Sequence, residues 1–199
     1  EEGSLTGDGN HLQGNAASSV DQGSGGGIFA GYNSHSSLIN TVLQGNTSGT
    51  TLDSTGAALR LEGSIVDLAH TTFVGNTGGD GSGVYANFGS AASMTNTLMS
   101  DHTVAITVEG GSAATLVGIL WHNTLTYTGG DGTINVSTVI TGDPAFAYDG
   151  YHIESNSAVI DQGVDAGVLN DIDGQIRPQS VAPDLGADEY APQCLAQLA

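Results

Sequence analysis

The side chains that could carry out chemistry are mostly acidic. The 199-residue chain has 21 Asp and Glu residues and only two cationic residues, with a formal net charge of −19. Carboxylates gathered in one cleft can act as acid and base on a glycosidic bond. Five candidate carboxylates from the repeats fall at unlike places, mostly in expected loops, and are not expected to line one cleft: Asp53, Asp67, Asp80, Asp101 and Glu109.

Histidines and aromatic side chains give a second set of candidates. Four histidines fall in expected turns, and none shows the HxH or HxxxH spacing of a metal site: His35, His70, His102 and His122. Four aromatic residues could offer a stacking face for a neutral sugar: Tyr32, Tyr85, Phe88 and Trp121. A single tryptophan is more often a packing residue, so both interpretations remain open.

The segment Asp171-Ile172-Asp173-Gly174 resembles part of a calcium-binding loop. The other ligands and the closing Glu of such a loop are missing. The alternative is an ordinary Asp-Gly turn. Asp171 and Asp173 are therefore weak candidates for a calcium site, and no other cofactor is expected.

A phrase repeated along the chain predicts the elements that must position these side chains. An Asn or a His closes each short apolar run: Asn15, Asn46, Asn76, His102 and Asn123. Three residues before each of them stands a large apolar residue: Leu12, Leu43, Phe73, Met99 and Leu120. The spacings between these apolar anchors are 31, 30, 26 and 21 residues. A repeat of this length with fixed apolar and polar positions is typical of a solenoid.

Each repeat holds three patches of three to five β-branched, aliphatic or aromatic residues bounded by turn residues, which predicts short strands. No stretch keeps the helical i, i+3, i+4, i+7 pattern, so helices should be nearly absent. The fold class expected is all-β, a right-handed parallel β-helix of roughly five to six coils. An up-and-down sandwich is the rival fold, but it would not predict this register. Stacked coils would form an aliphatic ladder inside and an Asn ladder at one turn. Asn suits that turn because it tolerates left-handed backbone angles and because its amide can bond the amide of the next coil.

A different pattern follows residue 140. It contains Gly142-Asp143-Pro144-Ala145-Phe146, Ser157 to Gly163, Asp171 to Pro178 and Asp184 to Tyr190. This string resembles the terminal module of secreted bacterial right-handed β-helix proteins, which carries a DPxF…AIDxG…DxDGxxRP…DxGAxE(Y/F) pattern. The GGGI at Gly25 to Ile28 and the repeated GNT also resemble polymorphic cell-surface β-helix repeats. The resemblance spans roughly residues 5–190.

The resemblance implies a division into β-helix coils at 1–140, a C-terminal capping module at 141–190 and a tail or linker at 191–199. Bare strand edges at the end of a solenoid must be covered, which is the role expected of the cap. Arg177 sits among Asp171, Asp173 and Asp184 and is expected to anchor the cap by salt bridges. A substrate-binding arginine is the alternative.

Enzymes on the resembling fold include pectate lyases and related polysaccharide lyases and hydrolases, which often set an Arg or Lys base over carboxylates that hold calcium. Arg60 is the one cation of the regular repeats. Aligned repeats put it in a column with Ala30 and Ala86, where no carboxylate pair recurs. We therefore expect Arg60 to be an exposed arginine paired with Glu62, and no catalytic residue is assigned.

Composition limits the partners. So few cations cannot displace phosphate counterions, which excludes nucleic acid and anionic membrane surfaces as partners, and no apolar stretch is long enough for membrane insertion. Cys194 is the single cysteine, so no internal disulfide is expected. The sequence opens partway through a repeat, as would a processed mature protein or a fragment.

These observations favour a non-catalytic structural or adhesion module, extracellular or at the cell surface. It would self-associate head to tail through an incomplete N-terminal coil or belong to a larger surface protein. The alternative is a carbohydrate-active or glycan-binding module, for which a neutral glycan is the expected partner.

Overall fold

The structure of the chain is a computed structural model that describes residues 3–192, and it is all-β with no helix in that range. Cys194 and most of the expected tail lie outside the described residues. A nine-stranded sheet is built from β1 (Ser4–Asp8), β2 (His11–Gln13), β4 (His35–Ile39), β5 (Val42–Gln44), β7 (Ile65–Ala69), β8 (Thr72–Val74), β10 (Ala91–Ser100), β12 (Ala113–His122) and β14 (Thr133–Ile140).

A second sheet has five strands. Its strands are β3 (Ile28–Gly31), β6 (Leu59–Glu62), β9 (Ser82–Asn87), β11 (Val104–Val108) and β13 (Thr126–Gly129), which lie side by side in chain order. The strands are rich in β-branched and aliphatic residues, and Gly, Asn, Ser and Asp residues separate them.

Every strand pair in both sheets is parallel, and each strand pairs with its counterpart one repeat further along the chain. In the nine-stranded sheet, for example, the first residues of β1, β4, β7, β10, β12 and β14 pair one after another and form one column: Ser4, His35, Ile65, Ala91, Ala113 and Thr133. β10 pairs with both β7 and β8, so one ten-residue strand takes the place of two shorter ones. Parallel sheets, with no helix among residues 3–192, are consistent with a β-solenoid.

The main hydrophobic core lies along inward columns of these strands. Leu38, Leu68, Met94 and Leu116 follow one another in register through β4, β7, β10 and β12, and all four are buried. Val84, Ile106 and Val108 of the five-stranded sheet belong to the same cluster. Apolar residues on both sheets thus bury each other over the length of the pairing, which is the dominant favourable contribution to folding.

Two columns of left-handed backbone form the bends of the nine-stranded sheet. One follows β2, β5 and β8 and consists of Gly14, Gly45, Gly75, Asp101 and Asn123, with φ between 43° and 65°. The other consists of Gly9, Asn40, His70, Asn96, Gly118 and Thr138, with φ between 46° and 67°. Gly, Asn and Asp dominate these positions because a residue with a larger side chain pays a steric cost at positive φ.

The C-terminal segment, residues 141–192, contains no strand and packs along the flank of the nine-stranded sheet. Leu98, Leu120 and Ile140 form a second buried cluster with Ile153, Val159 and Leu185 of this segment. At its far end Tyr151 contacts His11 of β2, with ring centroids 4.9 Å apart. The segment expected to cap the end of the coils therefore lies along the flank instead, where it covers an outward apolar strip.

As a result the last strands of both sheets remain exposed. β14 pairs with β12 on one side, and no other strand among residues 3–192 pairs with its second side. Val136 and Val139 are 40% and 51% exposed, although they continue columns that are buried at Leu116 and Ile119. The first strands β1, β2 and β3 are likewise paired on one side within the described residues.

Candidate functional site

The first candidate site is the asparagine ladder beside the first bend. Asn46 Oδ1 accepts hydrogen bonds from the backbone N–H and the side-chain Nδ2 of Asn15, both at 3.0 Å. Asn76 Oδ1 accepts the same pair of bonds from Asn46, again at 3.0 Å. Asn46 Nδ2 also donates to Leu12 O and Asn76 Nδ2 to Leu43 O, each at 2.9 Å. Asn46 and Asn76 are fully buried, so these bonds satisfy groups that water cannot reach.

His102 continues the ladder beyond Asn76. Asn76 Nδ2 lies 3.3 Å from His102 Nε2, a contact in which the imidazole must act as the acceptor. Burial lowers the pKa of His102 to about 4, against the opposing charge of Asp101. The neutral ring is therefore the form that fits the ladder.

Two residues expected in the ladders, Leu120 and Asn123, are each one position away from the residue that continues the column. Met99 pairs with Trp121, and Leu120 pairs with Leu98 in the outward cluster. Asn123 is exposed and lies beside Asp101, to which its side chain donates a hydrogen bond. It occupies the left-handed column of Gly14, with φ 43°. Residues of the last two repeats that pair in the structure are 22 positions apart, as Ser100 and His122 are. The expected alignment of Asn123-Thr124 with His102-Thr103 used an interval of 21 and therefore shifted the last repeat by one residue.

Of the two reasons expected for Asn at this turn, the structure supports the amide bonding and not the left-handed backbone. Asn15, Asn46 and Asn76 are absent from the left-handed positions, which belong to the preceding Gly14, Gly45 and Gly75. The asparagines are required for their amide hydrogen bonds. The apolar column Leu12, Leu43, Phe73 and Met99 is in register as expected, and its last three members are fully buried.

A second polar ladder, which the sequence reasoning missed, holds the C-terminal segment to the sheet. Asn96 Nδ2 donates to Val164 O at 2.7 Å, and Asn96 Oδ1 accepts from Val164 N at 2.9 Å. His70 Nδ1 lies 3.1 Å from Asp184 O and its Nε2 lies 3.0 Å from Asn96 Nδ2. Asn40 Nδ2 donates to Asn170 O at 2.8 Å. The signal was present as Asn40-Thr41, His70-Thr71 and Asn96-Thr97, each at the same place in its repeat.

Arg177 anchors the C-terminal segment internally, as expected, but its ion-pair partner is Glu189. Arg177 Nη1 donates to Glu189 Oε2 at 2.7 Å, and both side chains are almost completely buried. Arg177 Nη2 donates to the carbonyl oxygens of Gly186 and Ala187 at 2.9 and 2.7 Å. Glu189 also accepts hydrogen bonds from the backbone N–H groups of Gln179 and Asp184. Breaking such a buried pair from one side costs about 3–5 kcal/mol.

The three aspartates expected around Arg177 have separate roles. Asp171 accepts backbone hydrogen bonds from Asp173, Gln175 and Glu189, so its oxygens are already occupied. Asp184 is buried and accepts from Asp161 N and Tyr190 N; burial raises the pKa of its carboxyl to about 7. Asp173 forms no ion pair or hydrogen bond with Arg177, and its carboxylate instead lies 2.5 Å from His152 Nε2.

The expectation of an exposed Arg60 between alanines is also wrong. In the sheet register Arg60 pairs with Phe29 and Tyr85. Its guanidinium carbon lies 4.5 Å from the centroid of the Tyr85 ring, and the residue is only 8% exposed. The Tyr85 hydroxyl donates to Glu109 Oε1 at 3.1 Å. The ion pair with Glu62 is present at 3.5 Å.

No protein-family model matches the chain, and neither a curated protein nor a solved structure matches it. The resemblance of its C-terminal motifs to secreted β-helix proteins therefore stays an expectation. Within residues 3–192 there is no helix long and apolar enough to cross a membrane.

Replacing Asn76 with Ala should destabilise the fold by about 1–3 kcal/mol, because it leaves the buried Asn46 donors and Leu43 O without partners. The matched control is Asn15→Ala at the exposed end of the ladder, for which we expect a change within about 0.5 kcal/mol. Urea unfolding monitored by circular dichroism measures both. Equal losses from the two variants would contradict the role of the buried ladder.

His102→Asn should make stability less sensitive to acid. An unfolded histidine takes up its proton near pH 6.5 and folded His102 only near 4, so stability is lost as pH falls from 6.5 towards 4. At about 1.4 kcal/mol per pKa unit the loss from this residue reaches about 3 kcal/mol. The test is to measure the free energy of unfolding of the parent protein and of His102→Asn between pH 6.5 and 4. His70 also loses stability as pH falls, and it contributes equally to both proteins. An unchanged acid slope in the variant would contradict it.

Proposed function

We propose that this chain is a right-handed parallel β-helix that acts as a structural or adhesion module outside the cell and associates end to end. The observation that carries the proposal is that both sheets finish, within the described residues, in strands paired on one side only. The strand columns run without interruption from one of these ends to the other. The extracellular location rests on the acidic, cation-poor composition and on the motif resemblance.

The handedness follows from a general rule of chain connection. Consecutive strands of each sheet are parallel and joined by crossovers through the other sheet. Crossovers between parallel strands of one sheet are right-handed in about 98% of cases. Along the chain, two strands of the nine-stranded sheet are followed by one strand of the five-stranded sheet, as in β1, β2 and β3 and again in β4, β5 and β6. This order supports a β-helix winding.

The two ends match in strand register because they are the two ends of the same columns. Leu5 starts the column that runs through Ser36, Val66, Ala92 and Ala114 and finishes at Ile134. A second copy stacked on β14 through its own β1 would continue this column in register. Leu5 is 48% exposed, and such stacking would bury it together with Val136 and Val139.

The charge distribution favours contact at these ends. The eight residues of β14 include no ionisable side chain, and strands β1, β2 and β3 carry only Asp8 and His11. Natural proteins usually protect an exposed edge strand with charged residues. With a net charge of −19, two copies repel each other, and contact through edges that carry few charges limits that repulsion.

The variant Val136→Asp tests end-to-end association. It places a carboxylate on the apolar column at the joint, where burial without a partner is unfavourable, so association should weaken roughly tenfold or more. Asn135→Asp is the matched control, since it adds the same charge to the same strand on the outward face. Sedimentation velocity over a concentration series, at low and moderate salt, measures association; added salt should strengthen it.

A parent protein that sediments as a monomer at every concentration and salt level would contradict self-association. The exposed edges would then fit the remainder of a larger surface protein. Equal weakening by both variants would show that charge, and not the column at the joint, controls association.

Arg60, Tyr85 and Glu109 favour one second candidate, a glycan-binding module. Their side chains form a connected polar and aromatic group on the outer face of the five-stranded sheet. Burial and the bond to Glu109 raise the pKa of Tyr85, so the phenol acts as a hydrogen-bond donor at neutral pH. Phe29, in the same register column, is 45% exposed and could pack against a sugar ring.

Affinity gel electrophoresis with neutral polysaccharides tests this candidate. Binding should retard the parent protein, and Phe29→Ala should abolish most of the retardation, since loss of an aromatic stacking partner costs about 1 kcal/mol or more. Tyr148→Ala, which removes an exposed aromatic ring elsewhere, is the control. No retardation by any neutral polysaccharide would exclude the glycan-binding candidate.

A further inference from the structure

A group of potential metal ligands lies in the C-terminal segment. The ligand atoms of His152, Asp173 and Asp188 are all within 4.8 Å of one another. The three residues come from separate stretches of the segment, which the Arg177–Glu189 pair and the second polar ladder hold in place. This arrangement is distinct from the Asp171 and Asp173 pair that the sequence suggested, because Asp171 is bound to backbone N–H groups.

His152 is held in the orientation that a metal ligand needs. Its Nδ1 lies 2.5 Å from Asp149 Oδ2, and Asp149 Oδ1 accepts from the backbone N–H groups of Tyr151 and His152 at 3.2 and 3.1 Å. A carboxylate bonded to one imidazole nitrogen fixes the tautomer and leaves the other nitrogen to bind the metal. Nε2, which faces Asp173 at 2.5 Å, is the nitrogen so presented.

Asp188 brings a second carboxyl group to the site. The residue is 4% exposed, and its Oδ2 accepts from Ile153 N at 2.7 Å. Its Oδ1 has no hydrogen-bond partner among the described residues. Asp188, His152 and Glu189 line an open cavity of ≈ 390 Å³. This oxygen is not closed off from solvent, so a cation that enters the cavity can reach it.

The local charge points the same way. Asp149, Asp173 and Asp188 place three carboxyl groups around one imidazole, an excess of acidic groups over the single basic one. No arginine contributes to it, because Arg177 is paired with Glu189 and Arg60 with Glu62. A divalent cation would neutralise this excess.

We propose that His152 Nε2, Asp173 and Asp188 bind a divalent transition-metal ion, with Zn²⁺ the best match, and that Asp149 is the positioning residue for His152. One imidazole and two carboxylates are ligands that Zn²⁺ accepts, and the cavity leaves a fourth position for water. Ca²⁺ and Mg²⁺ prefer all-oxygen ligand sets and should bind poorly. This inference does not depend on end-to-end association.

Isothermal titration of the full chain with ZnCl₂ tests the site. All proteins carry Cys194→Ser, so that the thiol cannot contribute to binding. We expect saturable binding of one equivalent, a loss of saturable binding in Asp173→Asn, and a weakening of about 10- to 100-fold in Asp149→Asn. Far-ultraviolet circular dichroism verifies that each variant is folded.

Asp67→Asn is the matched control. Asp67 Oδ2 lies 2.8 Å from His35 Nε2 in an exposed pair that has no third ligand among the described residues. Zn²⁺ binding should therefore be unchanged in this variant. Visible absorption of the Co²⁺ form gives a second readout, because His152 coordination produces d–d bands that Asp173→Asn removes.

Absence of saturable Zn²⁺ binding by the parent protein would overturn the proposal and leave the cluster as an ion-pair network around a protonated His152. The same conclusion would follow if Asp173→Asn and Asp67→Asn behaved alike. Ca²⁺ binding as tight as that of Zn²⁺ would contradict the assigned ligand set.

Discussion

The in-register parallel pairing of successive strands is the constraint on which the rest of the structure depends. Once β4, β7, β10 and β12 pair residue by residue, each bend must recur at the same column with the same backbone angles. Gly14, Gly45 and Gly75 hold the left-handed position of one bend, and the polar groups beside it become buried. A buried amide then requires a partner in the next repeat, which the asparagine ladder supplies.

The second bend extends the same constraint to the irregular C-terminal segment. Asn40, His70 and Asn96 have left-handed backbones and direct their side chains away from the strand ladder to Asn170, Asp184 and Val164. Burial lowers the pKa of His70 to about 3, with a smaller contribution from nearby Arg177, so the ring stays neutral in the contact. The flank and the segment thus form one hydrogen-bonded unit, although the segment has no strand of its own.

The sequence was informative where one repeat copies another. Leu12, Leu43, Phe73 and Met99 could be placed because residue type and spacing recur together. Leu120 and Asn123 could not, since Leu120-Trp121 offers two apolar residues and Asn123 is equally suited to a left-handed position. The burial of Arg60 could be predicted only by knowing that its neighbour in the sheet register is Tyr85 and not Ala86. The placement of the C-terminal segment depended on contacts over long sequence separations, such as Asn40 with Asn170, which no local pattern encodes.

The burial of both arginines bears on end-to-end association and on metal binding, because it determines which charges remain on the surface. Arg60 and Arg177 are 8% and 4% exposed, and each is engaged by a glutamate. The exposed surface of the described residues therefore carries carboxylates with only histidines as potential cations. Such a surface disfavours contact with a second copy, and the repulsion is smallest at edge strands with few charges, such as β14, which has none. It also leaves carboxylate groups such as that of Asp173 to be neutralised by histidine or by a cation from solution, because no arginine remains to pair with them.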